Sequence, residues 1–115
     1  SPHAEALRLL AAEALAIGDG ELALQQLEKL TQLENAPVDA YSDFIAAALS
    51  MKKNEEAYAK AQAAVAAHPK SAIAHDLLGW TAAVTGRNDE ARNELTKALE
   101  LDPGLESAQK RLKSL

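Results

Sequence analysis

The side chains that could do chemistry are few and scattered. The 115-residue chain carries three histidines, no cysteine, and 17 carboxylates against 12 Lys and Arg. His3 lies at the start, His68 directly precedes Pro69, and His75 follows a few residues on. None has a second His, or a Cys, at the spacing that brings two ligands to one metal ion, so each reads as structural or solvent-facing. Carboxylates are adjacent at Glu55–Glu56 and Asp89–Glu90. Neighbouring helical residues point in different directions, so neither pair can act together as a general acid and base. Both suit the start of a helix, where the dipole favours negative charge. The Gly-Asp-Gly at 18–20 is a turn, too short and isolated for a calcium loop. No Gly-rich run has phosphate-cradle spacing, and no Ser or Thr has a nearby base. The absence of Cys excludes disulfides, zinc–thiolate sites and thiol catalysis. These residues predict a non-enzyme with no cofactor and no metal.

The bulk composition narrows the partners. A net charge of −5 with dispersed Lys and Arg argues against a nucleic-acid surface. No apolar run approaches the length of a membrane span, and no signal-peptide pattern opens the chain. Hydrophobic residues make up 48% but aromatics only 3%. Alanine supplies much of the apolar share, which favours closely packed helices, and β-branched residues are too scarce for a sheet. The chain opens Ser-Pro-His without Met, which reads as a processed or excised piece of a longer protein. The Ala-rich, Cys-free composition points to a bacterial source, in the cytoplasm or periplasm.

The elements follow from an internal repeat. Stepping back thirty-four residues from Gly79–Pro103 carries Ala91 to Ala57 and Ala23, Leu95 to Ala61 and Leu27, Ala98 to Ala64 and Leu30, and Pro103 to Pro69. Gly86 lands on Lys52 and then Gly18, and Leu78 on Phe44 and Leu10. Gly86 suits a left-handed helix end, Asn88 or Asp89 is a candidate N-cap, and Pro103 stops a helix. Gly79 lacks a Cβ, so a neighbouring helix can come close; Ala in its place should be mild, because Ala is the better helix former.

This period and pattern resemble the tetratricopeptide repeat, a helix–turn–helix unit with a small residue early in its first helix, Gly at the turn, Ala in the second helix and Pro near the end. The third unit, with Leu78, Gly79, Gly86, Ala91, Leu95, Ala98 and Pro103, fits best. The resemblance implies an all-α, right-handed superhelix of about seven helices. The repeats would span 4–37, 38–71 and 72–105, with a capping helix at 106–115. In that tail Leu105, Ala108, Leu112 and Leu115 share a face, as a cap against water requires. The N-terminal end shows no comparable cap.

The resemblance also implies a groove lined by the first helix of each unit. Glu5, Arg8, Leu9, Ala12 and Leu15 would come from unit one, and Asp39, Ser42, Asp43, Ala46 and Leu49 from unit two. Ile73, Asp76, Leu77, Trp80 and Val84 would come from unit three. Family members that grip chaperone tails use a Lys/Asn/Arg carboxylate clamp. Here only Arg8 matches it, while Ala12, Asp43, Ile73 and Leu77 fill the other slots. Ile73, Leu77, Trp80 and Val84 recur at helical spacing, extended by Leu49 and rimmed by Asp43 and Asp76. Trp80, turned about 100° from Gly79, is expected to face the groove. This pattern predicts a protein or peptide partner with apolar anchors and basic flanks. A homodimer contact or plain core are the other uses of the stripe. At the level of the whole protein, the alternatives are a regulatory or targeting domain appended to an enzyme, or an oligomerisation domain.

Overall fold

The computed structural model describes residues 2–115. Among them are seven α-helices and no strand: α1 Pro2–Ala16, α2 Gly20–Thr31, α3 Val38–Ser50, α4 Asn54–Ala67, α5 Ala72–Val84, α6 Asn88–Leu101 and α7 Glu106–Lys113. Each helix packs on its neighbours in sequence, α3 also reaches α5, and α5 reaches α7. No Cα of α1 comes within 8 Å of one in α3. The backbone of the first unit therefore approaches the second through α2, and a gap remains between the backbones of α1 and α3.

Turn chemistry sets the helix boundaries. Gly18 and Gly86 both adopt φ +81°, the left-handed conformation that ends a helix without a Cβ penalty. The equivalent position between α3 and α4 is Lys52, held at φ 61°. Asp19 caps α2, its carboxylate accepting from the Leu22 amide at 3.0 Å. Ser71 does the same for α5 through Ala74 at 3.1 Å. The cap expected for α6 is not made. The helix already begins at Asn88, so Arg87 holds the cap position and has no side-chain bond to the helix. Asp89 and Glu90 lie inside the first turn instead, where their charge still complements the dipole.

Small residues let the helices close on one another. Ala23, Ala57 and Ala91 occupy the same position in the three pairs, and each is fully buried. In the third pair the approach is closest. A Cβ built on Gly79 would stand 2.6 Å from Leu95 Cγ and 3.3 Å from the Ala91 carbonyl oxygen. Leu95 is itself fully buried and its Cγ is not a free end. Alanine at 79 is therefore not mild, because the steric conflict exceeds the gain in helix propensity. Two of the three histidines are structural pins. His75 is buried, with Nδ1 2.8 Å from Glu94 and Nε2 2.7 Å from the Pro69 carbonyl. It ties α5 to α6 and to the preceding turn. His68 Nε2 lies 2.8 Å from the Ala36 carbonyl and meets Tyr41 edge-on.

A ladder of polar ties crosses from one unit to the next. Lys53 meets Glu21 at 2.9 Å and Lys60 meets Glu28 at 2.6 Å. Arg87 meets Glu55 at 3.1 Å through two nitrogens, and the Tyr58 hydroxyl donates to Glu90 at 2.6 Å. That last bond raises the tyrosine above its ordinary pKa, because Glu90 stabilises the protonated phenol. The four pairs share one separation of 32 residues. Exposed ion pairs contribute little each, so these fix register more than stability.

Two substitutions probe this architecture. Lys52→Gly should raise stability by about 0.5–1 kcal/mol, by relieving the left-handed strain. Gly79→Ala should lower it by about 1–3 kcal/mol through overpacking against Leu95. Urea titrations of both variants check the signs; a Gly79→Ala protein as stable as the parent would contradict the close α5–α6 contact.

Candidate partner-binding groove

The gap between α1 and α3 forms a hollow of about 420 Å³. Its wall comes from three helices: Arg8, Ala11, Ala12 and Leu15 of α1, Leu27 of α2, and Asp43, Ala46, Ala47 and Ser50 of α3. Four alanines make the floor shallow, since none fills the space between the helix axes. Ala12, Leu15 and Ala46 are exposed there. Five of the residues expected from the first two units (Arg8, Ala12, Leu15, Asp43 and Ala46) thus meet at one place. Leu9 is 65% exposed and not part of this wall, and Leu49 packs partly against the core.

A salt bridge spans the mouth of the hollow. Arg8 Nη1 donates to Asp43 Oδ2, with both side chains about two-fifths exposed. It joins two helices whose Cα atoms stay more than 8 Å apart, and it engages the one residue whose type matched a carboxylate clamp. At the far end the same geometry recurs with the charges exchanged. Asp76 of α5 accepts from Arg111 of α7, again 35 residues on, and from the Ser107 hydroxyl. α7 thus stands to α5 as α3 stands to α1.

This second pair corrects the picture of the third unit. Asp76 was expected on an acidic rim, but it is 4% exposed and covered by α7. Its Oδ1 is buried without a partner among the described residues. Leu77 was expected in the groove stripe, but it is 4% exposed and belongs to the main core. Trp80 is half-buried: it packs against that core, and the Arg111 guanidinium stacks 4.2 Å from its ring centroid. Only Ile73 and Val84 of the stripe stay open, and Val84 borders a separate hollow with Lys52–Glu56 and Thr85. The stripe is therefore not one continuous surface. Helical spacing reported its alignment on α5 correctly. It could not report that α7 folds back over the middle of it.

Residues 72–105, the α5–α6 pair with its flanking turns, match the tetratricopeptide repeat family model. The family match thus covers the third helix pair of this chain. Solved tetratricopeptide-repeat structures share its fold over nearly its whole length. A structure of MamA superposes with a TM-score of 0.76 at 25% identity, covering 95% of this chain and 64% of that one. The first such domain of Spaghetti, solved with the HSP90 peptide SRMEEVD, gives 0.81 at 20% identity, covering 99% and 90%. An O-GlcNAc transferase of Thermobaculum terrenum gives 0.77 at 24% identity, covering 98% of this chain but 22% of that one. The chain thus spans less than two thirds of the MamA structure and about a fifth of the transferase. No curated protein matches the sequence. Among the described residues, no group of three or more His, Cys, Asp and Glu could hold a metal ion, and no helix is long and apolar enough to cross a membrane.

The repeat's last contact has a built-in reporter, because Trp80 is the only tryptophan. Arg111→Ala should leave Asp76 without its cation and lower stability by about 2–3 kcal/mol. It should also uncover one face of Trp80 and shift its emission to the red. Fluorescence combined with thermal melting checks both; an unchanged spectrum would mean that α7 does not cover the ring in solution.

Proposed function

We propose that this domain is a non-catalytic interaction module that holds a peptide or helical segment of a partner protein in the hollow between α1 and α3. The observation that carries the reading is the hollow itself: an alanine floor with an exposed Leu15, crossed at its mouth by Arg8 and Asp43. A shallow apolar floor suits one bulky Leu- or Phe-type anchor. The carboxylates Glu5 and Asp39 on the same two helices, with the net charge of −5, suit Lys or Arg beside that anchor. Leu49, Ile73, the open part of Trp80 and Val84 would give a longer segment further apolar contacts.

The peptide seen with Spaghetti is acidic. This chain lacks the donors to hold such a tail. Arg8 is already engaged by Asp43, and Ile73 and Leu77 offer none. The partner we propose is therefore of opposite charge. A second reading, a recognition domain appended to an enzyme, is favoured by one observation: the stretch that this chain matches makes up about a fifth of the Thermobaculum terrenum transferase. Both readings place the binding event in the same groove.

Selection from a random peptide library should yield ligands with a Leu or Phe anchor and basic flanks, with affinities on the order of micromolar. The acidic peptide SRMEEVD should not bind. Ala46→Trp, which fills the hollow from an exposed position, should weaken the selected peptides at least about tenfold, or ~1.4 kcal/mol, with stability unchanged. Trp80→Ala should have the smaller effect on binding. The opposite ranking, with Ala46→Trp silent and Trp80→Ala abolishing binding, would move the site to α5.

A further inference from the structure

The face formed by α1 and the start of α2 differs in two ways from the same place in the later units. The first is apolar. Leu10 is 49% exposed, Ile17 77% and Leu22 38%. Together with Glu13, Ala14 and Gln26 they surround a hollow of about 210 Å³ that shares no lining residue with the α1–α3 groove. In the repeat register Leu10 corresponds to Phe44 and Leu78, which are 6% and 7% exposed and belong to the main core. Leu22 corresponds to Glu56 and Glu90, so the apolar surface continues onto α2 where the later units carry a carboxylate. Contiguous exposed apolar surface of this kind marks a contact site.

The second difference is charge. At each junction between units a glutamate of the earlier unit meets a cation of the later one: Glu21 meets Lys53, and Glu55 meets Arg87. Lys53 and Arg87 hold the same position of the repeat, and in the first unit that position is Asp19. The Asp19 amide donates to the Ala14 carbonyl at 2.8 Å, which holds this turn against the end of α1. There Glu13 stands where Ala47 and Thr81 are buried at 7% and 0%. Glu13 and Asp19 are both exposed, and neither joins an ion pair among the described residues.

A further helix pair of the same kind therefore fits this face poorly. Its glutamate would meet Asp19, like charge against like, and its packing would bury Glu13 without a partner. The face requires the reverse: apolar side chains over Leu10, Ile17 and Leu22, with cations at the edge for Glu13 and Asp19.

We infer that this face is a second docking surface, and that its occupant is an amphipathic helix of another protein, with a Leu- or Ile-type stripe flanked by Lys or Arg. The seat suits a helix, because α2 and α4 pack at the equivalent places on α3 and α5, and Leu24 of α2 borders one hollow with Phe44. One anchor enters the hollow between Leu10 and Leu22. Cations beside the stripe reach Glu13 and Asp19, which repeats the tie of Lys53 and Arg87 with its sign reversed. This is recognition of an apolar helix face by a groove, and it leaves the α1–α3 groove open.

A synthetic probe tests the surface: an end-blocked peptide of Leu and Lys, with leucines at helical spacing and the 15-residue length of α1. A second peptide carries Glu in place of every Lys. Fluorescence anisotropy should show binding of the Leu/Lys peptide alone, weakening as salt rises. Leu10→Asp and Ile17→Asp should each lower its affinity at least about tenfold, although each adds a negative charge that would strengthen a purely electrostatic attraction. Ile17 is mostly solvent-exposed, so its variant keeps the fold, which circular dichroism checks. Glu13→Gln combined with Asp19→Asn, which preserves a capping side chain on α2, should lower affinity about fivefold. Ala46→Trp should leave it unchanged. No binding of the Leu/Lys peptide, equal binding of the two peptides, or unchanged binding by both Asp variants would overturn the inference. So would light scattering in which the parent chain self-associates and Leu10→Asp does not, because the occupant would then be a second copy. Loss of binding in Ala46→Trp would put the peptide in the groove, which overturns this inference and leaves the groove reading standing.

Discussion

The stack depends on three alanines that are too small to hold their helices apart. Ala23, Ala57 and Ala91 are each fully buried at the same position of successive helix pairs. A larger side chain there would push the second helix of its pair outward and tilt every later unit. Gly79 applies the same constraint from the opposite helix, at the one place where even a methyl group meets Leu95. Close approach replaces large side chains as the source of cohesion, which is how a chain with 3% aromatic residues closes a core. The groove follows from the same economy. Alanines at 11, 12, 46 and 47 leave the space between α1 and α3 unfilled.

Polar ties then set how one unit sits on the next, in two series. The ties from Glu21, Glu28, Glu55 and Tyr58 reach 32 residues forward, two short of the repeat. Those from Arg8 and Asp76 reach 35, one beyond it. Two sets of diagonal ties with different offsets resist both sliding and rotation of neighbouring units. The reversal of sign between Arg8–Asp43 and Asp76–Arg111 also makes the two ends of the stack chemically unlike. The first pair is open and borders a hollow, whereas the second is largely dry and holds down a helix.

Much of this was legible in the sequence, because a repeat tests itself. Ala91, Ala57 and Ala23 agree three times over, and the Gly18–Lys52–Gly86 series locates each turn even where lysine replaces glycine. Single-helix spacing carries less. Ile73, Leu77, Trp80 and Val84 do lie along one side of α5, but exposure depends on what the next helix brings, and α7 brings Arg111 and Ser107. The 35-residue match of opposite charges in Arg8–Asp43 and Asp76–Arg111 was the available signal for that fold-back. It appears only when positions one step beyond the repeat are compared. The missing cap on α6 has a similar cause: a helix boundary displaced by one residue turns a capping side chain into a first-turn one.

The core is not continuous from end to end. Leu95, Ala98 and Ala108, edged by Leu99, Leu105 and Leu112, form a small cluster separate from the one that joins α1 to α5. In a linear array each section is held only by its neighbours, and such sections open independently at different free energies. Amide hydrogens should therefore exchange in a graded order, slowest in α3 and α5 and fastest in α7, whose single buried residue is Ala108. α7 is held to the stack by that small cluster on α6 and by the Asp76–Arg111 pair on α5, apart from the core that joins α1 to α5.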